Sequence, residues 1–227
     1  MVSKRILGFY GFTQMWLLAA AALSIAMSVV WKSPNLMINF TFHDIDLTAG
    51  LILGIFLLVT FFISVFAVLQ KNHVTIGLVI LNWALIADGI VVLVIGTIIW
   101  FYSLHQRQNY FDVFKASSPQ TRIDIQNKFS CCGYFAFNDT TMETSSGFCS
   151  DPTVANRFNF SAPEMFACVS HINSFTDFTL NNTFTTIYGY MAIVISLFLA
   201  SLCIIHQRVE TERFRKIDSK RGGRGFV

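Results

Sequence analysis

Long apolar runs alternate with shorter polar segments along this chain, and the apolar runs set its organisation. Four runs stand out: Ile6–Trp31, Leu47–Leu69, Val74–Tyr102 and Ile187–Ile205. Each approaches or exceeds the ~20 residues with which a helix crosses about 30 Å of hydrocarbon. Polar segments 1–5, 32–46, 70–73, 103–186 and 206–227 flank them. The pattern therefore predicts four membrane-spanning helices with a large loop between the third and the fourth.

The first run also has to be compared with a secretory signal. Such a signal has an apolar core of only about 7 to 15 residues before its cleavage site, so the length of this run favours a retained span. The small residues from Ala19 to Ala26 leave cleavage as the alternative.

Composition agrees with a membrane protein. Hydrophobic residues make up 54% of the chain and charged residues 13%, and the mean hydropathy is +0.56, outside the usual range for a soluble domain. The net charge of +3 is too small to indicate nucleic-acid binding. Membrane partners are therefore expected instead.

Two patterns predict the orientation of the chain. Basic residues cluster on one side of the predicted spans: Lys4, Arg5, Lys71, Arg208, Arg213, Arg215, Lys216, Lys220, Arg221 and Arg224. This excess marks the cytoplasmic side, which places both termini there. Glycosylation sequons lie in the other loops, at Asn39, Asn138, Asn159 and Asn181. Asn138 and Asn159 are favoured, because the other two lie close to the predicted bilayer.

The large loop is expected to be mostly helical at its start. The third run is longer than a bilayer requires, so its helix is predicted to continue through His105 and Asn109. Four apolar residues then fall near one face at helical spacing: Phe101, Leu104, Phe111 and Phe114. Ser118 followed by Pro119 predicts the start of a second helix towards Phe129.

The segment from Tyr134 to Phe166 has no sustained period and is expected to be irregular. Its aromatic residues are Phe135, Phe137, Phe148, Phe158, Phe160 and Phe166. They allow two interpretations, a small core around the cysteines or an exposed patch for a partner. The sequence does not separate these.

Four cysteines of the large loop are the most specific feature of the chain. Cys131 and Cys132 are adjacent and rarely bridge each other, because one peptide unit does not normally supply the Cα separation that a disulfide needs. Each is therefore expected to pair elsewhere, and Cys149 and Cys168 are available. Gly133 after them allows a sharp turn. Such crosslinks suit a segment too small for a generous core.

The CCG tripeptide at 131–133, in the last loop of a four-span chain, resembles the tetraspanin family over nearly the whole length. This resemblance implies an all-α membrane protein, a four-helix bundle with a disulfide-stapled, mostly helical large extracellular loop. It also implies the pairs Cys131–Cys168 and Cys132–Cys149. Family members arrange other membrane proteins into signalling and adhesion assemblies, and their bundles can enclose a lipid such as a sterol. The short chain and tail resemble filamentous-fungal members associated with polarised growth and host penetration.

Polar residues inside the predicted spans are candidate sites. Gln14, Asn82 and Asp88 interrupt the apolar runs, and a carboxylate near mid-span costs ~2.5 to 3.5 kcal/mol unless it is neutral or paired. Asp88 is therefore expected to face the interior. An interhelical hydrogen bond is favoured over an ion or proton site and over the lining of a lipid-sized cavity.

Small residues predict close packing of the spans. Ala19, Ala22 and Ala26 in the first run, and the GxxxG pair Gly50 and Gly54 in the second, would let helix backbones approach.

The remaining cysteine and the basic tail point towards the inner membrane surface. Cys203, at the cytoplasmic end of the fourth run, is a candidate for palmitoylation, a modification typical of the resembled family, with an unmodified buried cysteine as the alternative. Glu212 and Lys216 are spaced as a helical ion pair, so the tail is expected to begin as a helix.

No familiar catalytic motif occurs, so the chain is not expected to be an enzyme, and no metal or other cofactor is expected apart from a bound sterol or lipid. Two function classes follow. The first is a membrane organiser, able to form homo-oligomers, that binds other membrane proteins through its large loop and spans, in the plasma membrane or an endomembrane. The second is a small channel or transporter using Asp88 and Asn82.

Overall fold

A computed structural model describes residues 4–70, 75–136, 139–151 and 167–220 of the 227-residue chain. The regular elements in these ranges are helical. In chain order they are α1 (Lys4–Val30), α2 (Leu36–Thr41), α3 (Asp44–Leu69), α4 (Ile76–Leu104), α5 (Gln106–Ala116), α6 (Pro119–Phe129), a 3-10 helix (Phe148–Ser150) and α7 (Cys168–Lys220). No strand occurs in the part of the chain that is described.

Four of these helices are long and apolar enough to cross a membrane: α1, α3, α4 and α7. They carry the four predicted runs. The helix around the fourth run is much longer than that run, because α7 begins at Cys168 and continues for 53 residues. Hydrophobicity predicted only the apolar middle of α7. Its polar N-terminal part stays helical, with threonine hydroxyls donating to the carbonyl one turn back, as from Thr179 to Phe175 at 2.8 Å.

The chain folds into two compact units. The spanning unit comprises Met1–Val29, Thr48–Gly96 and Thr186–Val227, and the disulfide unit comprises Val30–Leu47 and Thr97–Thr185. The disulfide unit therefore draws on both loops that were expected on the outer side.

Within the spanning unit, α1 and α3 approach closely at the GxxxG pair. A β-carbon added at Gly54 would lie 2.6 Å from Cγ1 of Ile25 and 3.2 Å from the carbonyl oxygen of Ala21. One turn away, the Ser24 hydroxyl donates to the Gly50 carbonyl at 2.9 Å. These contacts identify α1 as the partner of the GxxxG helix, which the sequence did not specify.

The small-residue face predicted on α1 is wrong. Ala19, Ala22 and Ala26 are exposed, whereas Ala20 and Ala21 are buried. The four consecutive alanines at 19–22 allow either face of α1 to pack, so the spacing of the alanines alone does not identify the packing face. The hydroxyls of Ser24 and Ser28, which lie beside Gly50, mark the face that packs.

The predicted extension of the third span is interrupted. α4 ends at Leu104 and α5 starts at Gln106, because His105 between them has φ −113° and ψ 19°. The break changes the helical phase, so the predicted common face is wrong. Phe101 and Leu104 are mostly exposed, whereas Phe114 is fully buried.

The second loop helix forms where it was predicted. Pro119 is the first residue of α6, and the Ser118 hydroxyl caps it by accepting from the Thr121 amide at 3.2 Å. The helix ends at Phe129, and Ser130 follows in the left-handed conformation with φ 52°. This turn leads the chain directly into the adjacent cysteines.

Candidate functional site: the disulfide unit and the buried polar positions

Two disulfides start from neighbouring residues and reach different elements. Cys131 pairs with Cys168 over a Cα separation of 5.1 Å, and Cys132 pairs with Cys149 over 5.8 Å. This is the pairing that the resemblance implies. The first bridge joins the end of α6 to the first residue of α7, and the second joins it to the 3-10 helix. Three segments are thereby fixed at one point.

Gly133 completes this junction through its backbone. Its φ of 68° is in the left-handed region, and an added β-carbon would collide with the carbonyl oxygen of Ala136. The turn directs two carbonyls at the start of α7, where Gly133 accepts from the Cys168 amide at 3.0 Å and Tyr134 accepts from the Val169 amide at 3.1 Å. Amides at a helix start have no partner within the helix, so the motif caps α7 as well as bridging to it.

One face of α6 holds the segment 139–151. Arg122 forms an ion pair with Glu143, and the Asn127 side chain accepts from the Phe148 amide at 2.6 Å. The buried side-chain amide of Gln126 forms two hydrogen bonds with the backbone of Glu143. Its oxygen accepts from the Glu143 N–H at 3.3 Å, and its NH₂ group donates to the Glu143 C=O at 3.2 Å. The chain that carries Cys149 is therefore positioned by hydrogen bonds as well as by its disulfide.

An aromatic core lies beneath the disulfides. Tyr110, Phe114 and Tyr134 are fully buried, with the rings of Phe114 and Tyr134 5.6 Å apart. The hydroxyls remain paired, because Tyr110 donates to the Thr41 carbonyl at 3.2 Å and Tyr134 to the Arg107 carbonyl at 3.0 Å. Burial raises the pKa of both phenols well above the usual value. Both side chains are therefore neutral core residues at physiological pH.

The short loop between the first two spans contributes to this core, which the sequence did not predict. Met37, Phe40 and Phe42 of segment 32–46 are buried in it, and Phe40 stacks on Tyr110 at 5.7 Å. The available signal was the apolar content of residues 36–42 within a segment that otherwise reads as polar. Most of these apolar residues lie on α2, a short helix of 6 residues.

Only two of the six aromatic residues singled out in the irregular segment lie in the part of the chain that the structure describes. Phe135 packs on Phe111 with ring centroids 4.8 Å apart, and Phe148 packs on the Cys132–Cys149 bridge. These two favour the small-core interpretation. The other four, Phe137, Phe158, Phe160 and Phe166, lie outside the described residues.

The sequons are also divided. Asn39 is exposed on α2 and Asn181 is exposed on α7. Asn138 and Asn159, the favoured pair, lie outside the described residues.

Asn82, one of the three polar positions predicted inside the spans, is paired across two helices. Its side-chain oxygen accepts a hydrogen bond from the Ser201 hydroxyl, which joins α4 to α7. A second polar contact joins α1 to α3, where the Tyr10 hydroxyl donates to the Ser64 carbonyl at 3.1 Å. The fourth run, Ile187–Ile205, contains no charged or amide residue, and a serine hydroxyl supplies this polar contact.

Gln14 and Asp88 are buried without such partners. They are 6% and 1% exposed, and none of their side-chain nitrogen or oxygen atoms has a hydrogen-bond partner among the described residues. The Thr60 side chain faces Asp88 from α3. At 1.5 Å per residue, Gln14 lies about 15 Å from the start of α1, Thr60 about 14 Å from the end of α3 and Asp88 about 18 Å from the start of α4. Asp88 is therefore buried inside the spanning unit, as predicted, with Thr60 of α3 as its polar neighbour on another helix.

The C-terminal part of α7 carries the remaining candidates. Cys203 is a free thiol and is exposed. Arg208 is buried and donates to the Val68 carbonyl at 3.2 Å, which satisfies an acceptor in the last turn of α3. Beyond it the helix continues with the predicted Glu212–Lys216 ion pair at 3.8 Å. No group of three or more His, Cys, Asp or Glu residues that could hold a metal ion occurs in the described ranges.

Comparisons of the chain with protein-family models, with curated proteins and with solved structures found no significant match.

Proposed function

We propose that this protein is a non-enzymatic membrane organiser of the tetraspanin type, which assembles other membrane proteins into signalling or adhesion complexes. The observation that carries this proposal is the disulfide unit. Two bridges from adjacent cysteines fix one end of α6, the 3-10 helix and α7 at one point, between the third and fourth helices able to span a membrane. A rigid protein-binding unit held at a membrane is what an organiser requires.

The proposed orientation places the disulfide unit outside the cytoplasm and both termini inside. It is supported by the basic residues at the inner ends of the spans and by two bridges of a kind that persists in oxidising compartments. In the same orientation, Arg213, Arg215, Lys216 and Lys220 are exposed on α7 near the anionic inner leaflet. Cys203 is then an accessible thiol for palmitoylation.

This orientation predicts the accessibility of the C-terminus and of the disulfide unit. An epitope added after Val227 should be invisible to antibody on intact cells and visible after permeabilisation. An epitope inserted between Asp151 and Pro152, in the disulfide unit, should be visible in both conditions. Surface labelling of the C-terminal epitope in intact cells would contradict the proposed topology.

Partners are proposed to contact both units. The described surface of the disulfide unit exposes Phe178, with 70% of its side chain accessible, on the outer part of α7. In the spanning unit, an apolar groove of about 240 Å³ between α4 and α7 runs from Leu85 to Leu93 and from Met191 to Phe198. This groove is a place for a sterol or lipid chain or for the helix of a partner, a second copy included.

The function is tested by co-purification in mild detergent followed by identification of the bound proteins. We expect specific membrane proteins to be recovered with the wild-type chain. A variant with both Cys132→Ser and Cys149→Ser keeps the spans and releases the segment held on α6, so it should lose most of these partners. Equal recovery by both chains would remove the disulfide unit from the proposal.

A small channel or transporter remains the second candidate, because one observation favours it. Gln14 and Asp88 place unpaired polar atoms near the middle of the membrane, and buried ionisable residues in spans often mark transport paths. Asn82 belongs less clearly to such a site, since it is already paired with Ser201.

A further inference from the structure

A groove in the disulfide unit lies between α2 and the neighbouring parts of α5 and α6. Its cavity volume is about 690 Å³, within the range of small-molecule sites. Leu36, Val113 and Ala116 supply apolar wall, while Asn35, Asp112 and Thr121 supply polar groups. A mixed lining of this kind suits a neutral molecule with both apolar faces and hydroxyl groups.

Asn39 is itself part of the lining of this groove. It is exposed, whereas the neighbouring Phe40 is 5% exposed and packs into the core. Asn39, Phe40 and Thr41 form a glycosylation sequon, so any glycan on Asn39 is covalently attached at the wall of the cavity. Tethering gives the glycan a high effective concentration there, so weak contacts suffice to hold it.

The third residue of the sequon sets when this modification can occur. Thr41 is 3% exposed, and its hydroxyl donates to the Met37 carbonyl at 2.7 Å inside α2. A sequon threonine held in this way is not available to an enzyme that must bind it. Addition of the glycan therefore has to precede the folding of α2.

We propose that Asn39, which the sequence alone did not favour because it lies close to the predicted bilayer, carries an N-linked glycan whose first two N-acetylglucosamine residues lie in this groove. Their hydroxyl and acetamide groups then meet the polar groups of Asn35, Asp112 and Thr121, and their acetyl methyl groups meet Leu36 and Ala116. The glycan thereby covers the exposed surface that α2 contributes to the groove. This inference rests on the proposed orientation, because only the extracytoplasmic side is glycosylated.

The proposal predicts protection of the glycan from a glycosidase that cleaves at the asparagine. The full chain is made in a eukaryotic host, purified in mild detergent, and treated with the glycosidase either folded or after reduction and denaturation, with each sequon followed by mass spectrometry. Folding should slow cleavage at Asn39 by about tenfold, the factor expected from one or two net hydrogen bonds. Any glycan on Asn181, which does not line the groove, serves as the internal reference and should show a smaller change.

Filling the groove provides the matched variant. Ala116 is exposed in the groove, so Ala116→Trp should displace the glycan and restore fast cleavage at Asn39 in the folded chain, while Ala116→Ser should not. If the tryptophan variant is not recovered folded, amide hydrogen exchange decides instead. Exchange in α2 should be slower in the glycosylated wild type than in Asn39→Gln, and equal exchange overturns the proposal.

The remaining outcomes separate this inference from the proposed function. Equal cleavage rates at Asn39 in folded and unfolded protein overturn the groove assignment. An unmodified Asn39 beside a modified sequon elsewhere overturns the inference and leaves the orientation intact. Absence of glycan from all four sequons overturns the inference and removes the glycosylation argument for the orientation, which the epitope experiment then tests alone.

Discussion

Replacing Cys131 and Cys168 with serine should unfold most of the disulfide unit and abolish partner capture. The chain between them closes a loop with a sequence separation of 37, and restriction of a loop of that size contributes about 4 kcal/mol. The Cys132–Cys149 loop, with a separation of 17, contributes about 3 kcal/mol. The first pair also carries the start of α7, so its loss should be the more severe.

Limited proteolysis of the purified protein, with the released fragments mapped, measures this effect. Cleavage within residues 103–186 should become fast in the Cys131→Ser, Cys168→Ser variant, while the spans remain protected by detergent. Cys203→Ser is the control, because this thiol lies in the C-terminal part of α7 and forms no disulfide. If the Cys131→Ser, Cys168→Ser variant resists proteolysis and captures partners as well as the wild type does, the structural role of the Cys131–Cys168 bridge is contradicted.

Reconstituted vesicles containing the wild-type protein should show no proton or cation flux above the lipid background, and Asp88→Asn should behave identically. The organiser proposal gives Asp88 no transport role. Robust wild-type flux that Asp88→Asn abolishes would instead support the channel or transporter hypothesis, since an amide cannot ionise. Both proteins should be recovered in equal amounts from the membrane, which excludes a folding defect as the cause of any difference.

Stability separates a paired from an unpaired Asp88. Both carboxylate oxygens are buried, with the Thr60 side chain facing them but no hydrogen bond of good geometry among the described residues, so Asp88→Leu removes a desolvated polar group. We expect it to raise the free energy of unfolding by about 1 to 3 kcal/mol, seen as a higher thermal midpoint in detergent. A lower midpoint would show that the carboxyl group makes an interhelical hydrogen bond, as the sequence alone suggested.

The parts of the fold that follow from strong local signals could be predicted. Long apolar runs located all four helices able to span the membrane, because no other sequence feature competes with hydrophobicity over ~20 residues. The start of α6 followed from Ser118 and Pro119, which act within a single turn. The pairing of the cysteines came from resemblance, since spacing alone leaves three possibilities for four cysteines.

Features decided by tertiary contacts could not be predicted. No proline or glycine lies at the helix break at His105, so no local sequence signal predicts it. The break nevertheless turns Phe101 and Leu104 away from the buried Phe114. The core role of Phe40 depends on Tyr110, which lies 70 residues further along the chain and stacks on it. The exposed alanines of α1 likewise show that composition identifies a helix that can pack closely, but not the face it uses.

The order in which the chain is synthesised has a consequence for the junction at Cys131 and Cys132. Cys149 is made before Cys168, so for a time either of the adjacent cysteines can take the same early partner. Only the bridge to Cys132 is native, and an early Cys131–Cys149 bridge must be exchanged once Cys168 emerges. Maturation of this protein should therefore depend on a disulfide isomerase, and its yield should fall when that catalyst is limiting.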